Sequence, residues 1–237
     1  FSATINPKRI DPGYFQLKEY EPNRALVIAN AARLHTPFRD LDDFYNDWQN
    51  FDGHCVIDVN KSIDVFSMHQ YIKRVILEEH TRFDYALYFV NDFPYLLKSI
   101  EEKWVQIKLK STTKKELQAN GVSNFDKLFV FFDAAHCRGI DVPLSKEAKA
   151  WVLIGEHCTM DQTLQGIGRL RSISKDHLNL QGQNVELLVS KQLYCSLGYS
   201  SVDDLKGKGV IDFLNWAKSK NISMAVCTNK QEHLAVD

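Results

Sequence analysis

Apolar residues gather along this chain in short unbroken runs rather than in strict alternation. "HCVIDV" (54–59), "DYALYFV" (84–90), "KLFVFFD" (127–133), "AWVLIG" (150–155) and "NVELLVS" (184–190) are of this kind, with "WVQIKL" (104–109) beside them. Runs of this length without a polar face predict strands buried on both sides. Between them lie segments with apolar residues at helical spacing. "SMHQYIKRVILEEH" (67–80), "FPYLLKSIEEK" (93–103), "KKELQAN" (114–120, ended by Gly121) and "MDQTLQGIGRLRS" (160–172) are each expected to be a helix. Strands alternating with helices predict an α/β fold, a parallel sheet covered by helices.

The flanks differ from this middle. "INPKRIDPGYFQLKEYEPN" (5–23) carries three prolines and reads as an irregular connector. "RALVIANAARLH" (24–35) has helical spacing, and "DLDDFYNDWQNF" (40–51) is expected to be a helix whose acids lie at its start. "GVIDFLNWAKSKN" (209–221) predicts an amphipathic helix on the C-terminal side. The expected organisation is a connector over 1–24, the α/β domain over 25–198 and a short helical extension over 199–237.

Composition narrows the chemistry. A chain of 237 residues can bury a substantial core. Its net charge of −1 provides no overall basic footprint for nucleic acid or for an anionic membrane. No apolar run approaches the ~18 residues of a membrane span, so no membrane partner is expected. Five scattered cysteines, 55, 137, 158, 195 and 227, lack any C-x-x-C pair and predict a reducing compartment, cytoplasmic or nuclear. The chain opens at Phe1 rather than Met, which predicts a fragment of a longer protein.

Candidate chemistry concentrates in "VFFDAAHCRGIDVPL" (130–144). Asp133-Ala134-Ala135-His136 has the form of a magnesium-holding carboxylate motif, but the position of the water-polarising glutamate is Ala134. No phosphate-cradling G-x-x-x-x-G-K-[ST] loop exists in the chain either, so this motif is not a self-contained hydrolysis site. The three His-Cys dipeptides, 54–55, 136–137 and 157–158, lack zinc-ligand spacing. Adjacent residues on a strand point to opposite faces, so each pair is poorly placed for thiol activation. They read as structural residues. Trp48, Trp104, Trp151 and Trp216 are dispersed and read as core or interface aromatics. "RGIDVPL" (138–144) and "QGIGRLR" (165–171) remain, and arginines on a helix after a buried strand are suited to stabilising charge on a transferring phosphoryl group.

The order of these motifs resembles superfamily 2 helicases. Ser2-Ala3-Thr4 looks like the motif that closes their first RecA-like domain, "RGIDVP" like their fifth motif and "QGIGRLR" like their sixth. "CVIDV" (55–59), "ALYFVND" (86–92), "QGQNVELLV" (181–189) and "VIDFLNWA" (210–217) extend the likeness. Over most of residues 1–217 the chain resembles a family of very large eukaryotic proteins with a helicase-like segment, described as paired domains of unknown function and often labelled ubiquitin thioesterases. This chain departs from it at Ala134, where family members carry a glutamate. The second arginine of the common helicase motif falls at Ser172, whereas Arg171 fits the variant of this family.

The resemblance implies a RecA-like domain, the second of a helicase-like pair, whose ATP site with Mg2+ is completed by an upstream RecA-like domain supplying the phosphate loop and the metal carboxylate. On that basis Arg169 and Arg171 would face the γ-phosphate as catalytic residues. Ser2, Thr4, Arg138, Gly139, Asp141 and Gln165 would contribute to nucleotide binding and to coupling between the halves. The part alone would be inactive. Two other functions stay open: a catalytically dead RecA-like scaffold for protein contacts, and part of a ubiquitin thioesterase-type cysteine hydrolase, with ubiquitin as partner.

Overall fold

Three strands whose residues are almost all buried form the centre of the molecule: β1 (Cys55–Asp58), β5 (Leu128–Phe132) and β6 (Lys149–Ile154). They belong to a seven-stranded sheet completed by β2 (Tyr85–Val90), β3 (Phe93–Ile100), β4 (Lys103–Lys108) and β7 (Asn184–Val189). The order across the sheet is β4-β3-β2-β5-β1-β6-β7. A computed structural model describes residues 53–61, 63, 72, 82–100, 103–137, 139–155, 158–171, 183–189, 191–198, 215, 216 and 219. The expected connector over 5–23 and the helices over 24–35 and 40–51 lie outside them.

The sheet is mixed. β2, β5, β1, β6 and β7 run parallel, whereas β3 pairs antiparallel with β2 and β4 antiparallel with β3. The architecture is therefore α/β with an antiparallel ribbon on one side, and the expectation of an all-parallel sheet is corrected. The helix expected over 93–103 is corrected too: Phe93–Ile100 is strand β3. Its cause lies just before it. Asn91 and Asp92 both adopt left-handed backbone angles, φ 48° and 65°. These two residues form the tight connection that matches the twist of antiparallel strands. Once the chain reverses there, Tyr95, Leu96 and Leu97 pair with Tyr88, Leu87 and Ala86 of β2.

Alternation along the central strands divides the core in two. Cys55, Ile57, Val130, Phe132, Ala150, Val152 and Ile154 pack on one face, with Leu117, Ile167 and Leu193 from the helical segments. Val56, Phe129, Phe131, Trp151 and Leu153 pack on the other, with Ile63, Ile72 and Phe83. Both faces are covered, which is why these strands read as continuous apolar runs.

Three helices are described: α1 (Lys114–Ala119), α2 (Met160–Ile167) and α3 (Lys191–Ser196). Thr159 starts α2 with a capping box, its hydroxyl accepting from the Gln162 N–H while the Gln162 side chain accepts from the Thr159 N–H. α2 ends at Ile167, before the arginines that the sequence pattern places within it. Gly166 lies where this helix crosses β1, and a Cβ there would stand 2.7 Å from a Val59 methyl. Only glycine allows that approach. Of the expected C-terminal helix, Asn215, Trp216 and Ser219 are described and helical, and Trp216 packs against the first core face.

Candidate functional site at the strand ends

Five parallel strands bring their C-terminal ends to one edge of the sheet. The connection leaving β1 runs towards β2, past β5, and the one leaving β6 runs the other way, towards β7. β1 and β6 are neighbours whose onward connections lead to opposite sides of the sheet, and in open α/β sheets such a switch point is the usual ligand position. The residues after β1, β5 and β6, together with α2, build this edge.

After β5 the chain turns immediately. Asp133 receives the backbone N–H groups of His136 and Cys137 on its carbonyl oxygen, at 3.0 Å each, and its carboxylate accepts again from the His136 N–H at 2.9 Å. The same carboxylate meets the His136 Nδ1 at 2.7 Å. The imidazole stacks on Phe89, centroids 4.3 Å apart, and its Nε2 lies 3.6 Å from the exposed carboxylate of Asp92. His136 is thus buried and fixed in orientation by a ring and two acids. Asp-x-x-His acts here as a turn-forming unit, in which the aspartate caps the backbone of residues 136 and 137.

Beyond it, Gly139 takes a left-handed conformation, φ 70°, and the chain passes through Ile140 and Asp141 to Val142. The Asp141 carbonyl accepts from the Thr112 hydroxyl at 2.7 Å, which ties this loop to the start of α1. From the other side comes the end of α2. Arg169 donates its Nε to the Gln165 carbonyl at 3.3 Å and its Nη1 to the Ile140 carbonyl. The guanidinium therefore bridges the helix end and the β5–β6 loop. Burial holds the Arg169 group below the usual arginine range, with nearby Arg171 adding to the effect, while Cys137 and Asp141 oppose it. Arg171 reaches the Asp141 carboxylate at 3.4 Å, and both side chains are largely exposed, 61% and 78%. An ion pair so exposed contributes little to stability, and its arginine exchanges partners readily. The Gln165 amide donates to both Asp161 carboxylate oxygens at 2.9 Å.

Of the expected site residues, Gly139, Asp141, Arg169 and Arg171 come together at this edge, and Gln165 stands one helical turn before Arg169. Ser2, Thr4 and Arg138 lie outside the described residues. The order "RGID … QGIGRLR" points to this loop and helix, but nothing in it points to Asp92. That residue arrives through the β2–β3 turn, and recognising the Asn91-Asp92 pair as a hairpin turn is the one signal that would have placed it.

The cysteines have another character. Cys55, Cys137 and Cys158 are buried. Burial pushes the Cys137 thiol far up, and Asp58 and Asp133 push it further, with Arg169 only partly offsetting them. Cys55 is raised in the same way, by burial first and Cys137 second. The Cys158 sulfur accepts from the Gly155 N–H at 3.3 Å. Thiols held neutral are poor nucleophiles and poor metal ligands. Among the described residues no cluster of His, Cys, Asp and Glu is arranged to hold a metal ion, and no helix is long and apolar enough to cross a membrane.

No family model, no curated protein and no solved structure matches the chain.

Proposed function

We propose that this chain is the C-terminal half of a helicase-like, RecA-like nucleotide hydrolase, contributing Arg169 and Arg171 to an ATP site completed by an upstream domain. The single observation that carries this reading is the convergence at the strand ends: two arginines from the end of α2 meet the Gly139–Asp141 loop from β5. A guanidinium bridging a helix end and a loop is preorganised, and donors fixed before the reaction stabilise developing phosphoryl charge most effectively. The donor set fits a phosphate, because Arg171 and Gln165 are bound to exposed acids and Arg169 is held in place by carbonyl oxygens.

ATP, when bound with Mg2+, supplies the phosphoryl group whose transfer drives movement between such halves. This chain's own part is electrostatic and positional. Arg169 holds the β5–β6 loop against α2, and Arg171 can leave Asp141 for a more strongly charged oxyanion. Asp141, relieved of Arg171, remains anchored through its backbone to Thr112. The metal carboxylate and phosphate loop are assigned to the upstream half, in agreement with Ala134 beside Asp133.

The test uses the protein with its upstream half. Arg171→Ala is expected to lower ATP hydrolysis by about 10³-fold or more, the order seen for a phosphoryl-stabilising arginine, while nucleotide binding changes far less. Hydrolysis unaffected by both Arg171→Ala and Arg169→Lys would defeat the proposal and leave a protein-binding scaffold as the better account. The thioesterase reading is disfavoured by the buried, neutral thiols of Cys55 and Cys137, and labelling of either by a ubiquitin-based thiol probe would revive it.

A further inference from the structure

Strand β4 closes one side of the sheet. Among the described residues it pairs only with β3, so its outer backbone edge has no strand against it. Such an edge offers a row of N–H and C=O groups to any extended chain. From Lys103 to Lys115 the sequence carries five lysines, 103, 108, 110, 114 and 115, and no Asp or Glu, in a protein whose net charge is −1. All five are exposed. Apolar surface lies among them: Phe93 is 47%, Ile100 43% and Val105 37% exposed, the large hydrophobic residues least covered in the described part of the chain.

We propose that β4 is a docking edge for an extended acidic segment of a protein partner, which adds to the sheet as a further strand. Backbone pairing would supply the affinity and the lysines the choice of partner. Lysines on an edge keep a second copy away, because copies would bring lysine against lysine; the same charges attract a strand bearing acids. Lys103 and Lys108 stand at the two ends of β4 and, five residues apart, on opposite faces, with Val105 and Gln106 exposed between them. The complementary segment therefore has an acidic residue at each end and β-branched or aromatic residues between.

Single-stranded nucleic acid is the other polyanion that this charge would attract, and it is held mainly by stacking on open aromatic faces. That surface is occupied here. The Lys108 ammonium lies 3.2 Å over the Phe93 ring, and Trp104 packs against the second core face. What the edge leaves open is backbone, positive charge and the aliphatic side chains of Ile100 and Val105, which suits a peptide strand. This proposal is independent of the ATPase reading, since β4 lies at the far edge of the sheet from β1 and β6.

Hydrogen exchange of the full chain tests it, using a blocked peptide with glutamates at both ends and alternating Val and Thr between them. The expected result is new amide protection within 103–108, with the 55–58 and 128–132 strands unchanged. The double variant Lys103→Glu/Lys108→Glu should bind that peptide about tenfold more weakly or worse, as two exposed attractions turn into repulsions, and should prefer a lysine-ended peptide. Both sites are exposed, so an unchanged circular dichroism spectrum serves as the folding control. Three outcomes would overturn the proposal. One is protection, before peptide is added, of the β4 amides that point away from β3, meaning that the edge is covered. Another is equal protection by acidic and lysine-ended peptides. The last is tight binding of an oligothymidylate without β4 protection, meaning a diffuse polyanion surface.

Discussion

The parallel centre and the antiparallel ribbon of this sheet are made of strands of similar length, yet they live in different environments. In β5 every residue is buried, whereas in β4 Lys103, Val105, Gln106 and Lys108 are exposed. The centre is covered on both faces and admits few polar positions, Asp58 among them. Among the described residues the ribbon has one edge without a partner strand, and it mixes lysine with aromatic and β-branched residues. The two proposed sites divide along the same line. The centre aligns strand ends and so gathers the arginine site, while the ribbon presents backbone and charge. A strand's neighbours determine whether it supports a site or offers one.

That contrast can be broken most forcefully at Phe131, which is fully buried between flanking strands. Phe131→Ala should cost about 3–5 kcal/mol of stability in chemical denaturation, whereas Val105→Ala on the ribbon should stay within about 0.5 kcal/mol. Comparable losses at both positions would mean that β4 is covered in solution. Gly166→Ala comes next, since its methyl would meet Val59 at 2.7 Å. A loss of about 1–3 kcal/mol is expected from such overpacking, and Val59→Ala in the same chain should recover part of it. Removing the α2 cap by Thr159→Ala should cost about 1 kcal/mol and fray the first turn of that helix.

The smallest effect at neutral pH sharpens the boundary between the regions. Tyr88 of β2 stacks on Tyr95 of β3, ring centroids 6.2 Å apart. Burial, and Tyr95 to a lesser degree, push the Tyr88 hydroxyl up from 10.0 to about 12. The folded state keeps a proton that the unfolded chain releases. Stability from this group is therefore fully present below pH 10.0 and is lost as pH rises through about 12. Tyr88→Phe should flatten the fall of stability across that window, and denaturation midpoints taken across it provide the check. An unchanged slope would mean that the ribbon opens before the centre does.

Much of the fold is legible in the sequence, and the failures have physical causes. β1, β2, β5, β6 and β7 are visible because apolar runs have few alternatives once both faces must be buried, while β4 is read from the mixed run "WVQIKL" although most of it is exposed. β3 reads as a helix because "LLKSIEE" satisfies helical spacing and carries helix-forming residues. The Asn91-Asp92 turn outweighs that preference by reversing the chain next to β2, where Phe93–Ile100 gains a ladder on each side. α2 reads as longer than it is for a related reason. Gly166 and Gly168 weaken the helix there, and Arg169 finds better acceptors in the Gln165 and Ile140 carbonyls. In the candidate site, the loop and the arginines are readable as motifs, while the Asp92–His136–Asp133 arrangement is not. Its members come from a hairpin and a strand end with β5 and β2 side by side, an adjacency that no local pattern encodes.

The order of amino acids dictates where the chain must be buried and which residues carry charge near one another. Local sterics and burial settle those matters within a few residues. The strand order and the meeting of Arg169 and Arg171 with the Gly139–Asp141 loop are decided only in three dimensions. The arginine site depends on contacts about thirty positions apart and the strand order on longer ones, such as Cys55 with Val130 and Ala150, and these form only when the two faces of one sheet are covered together.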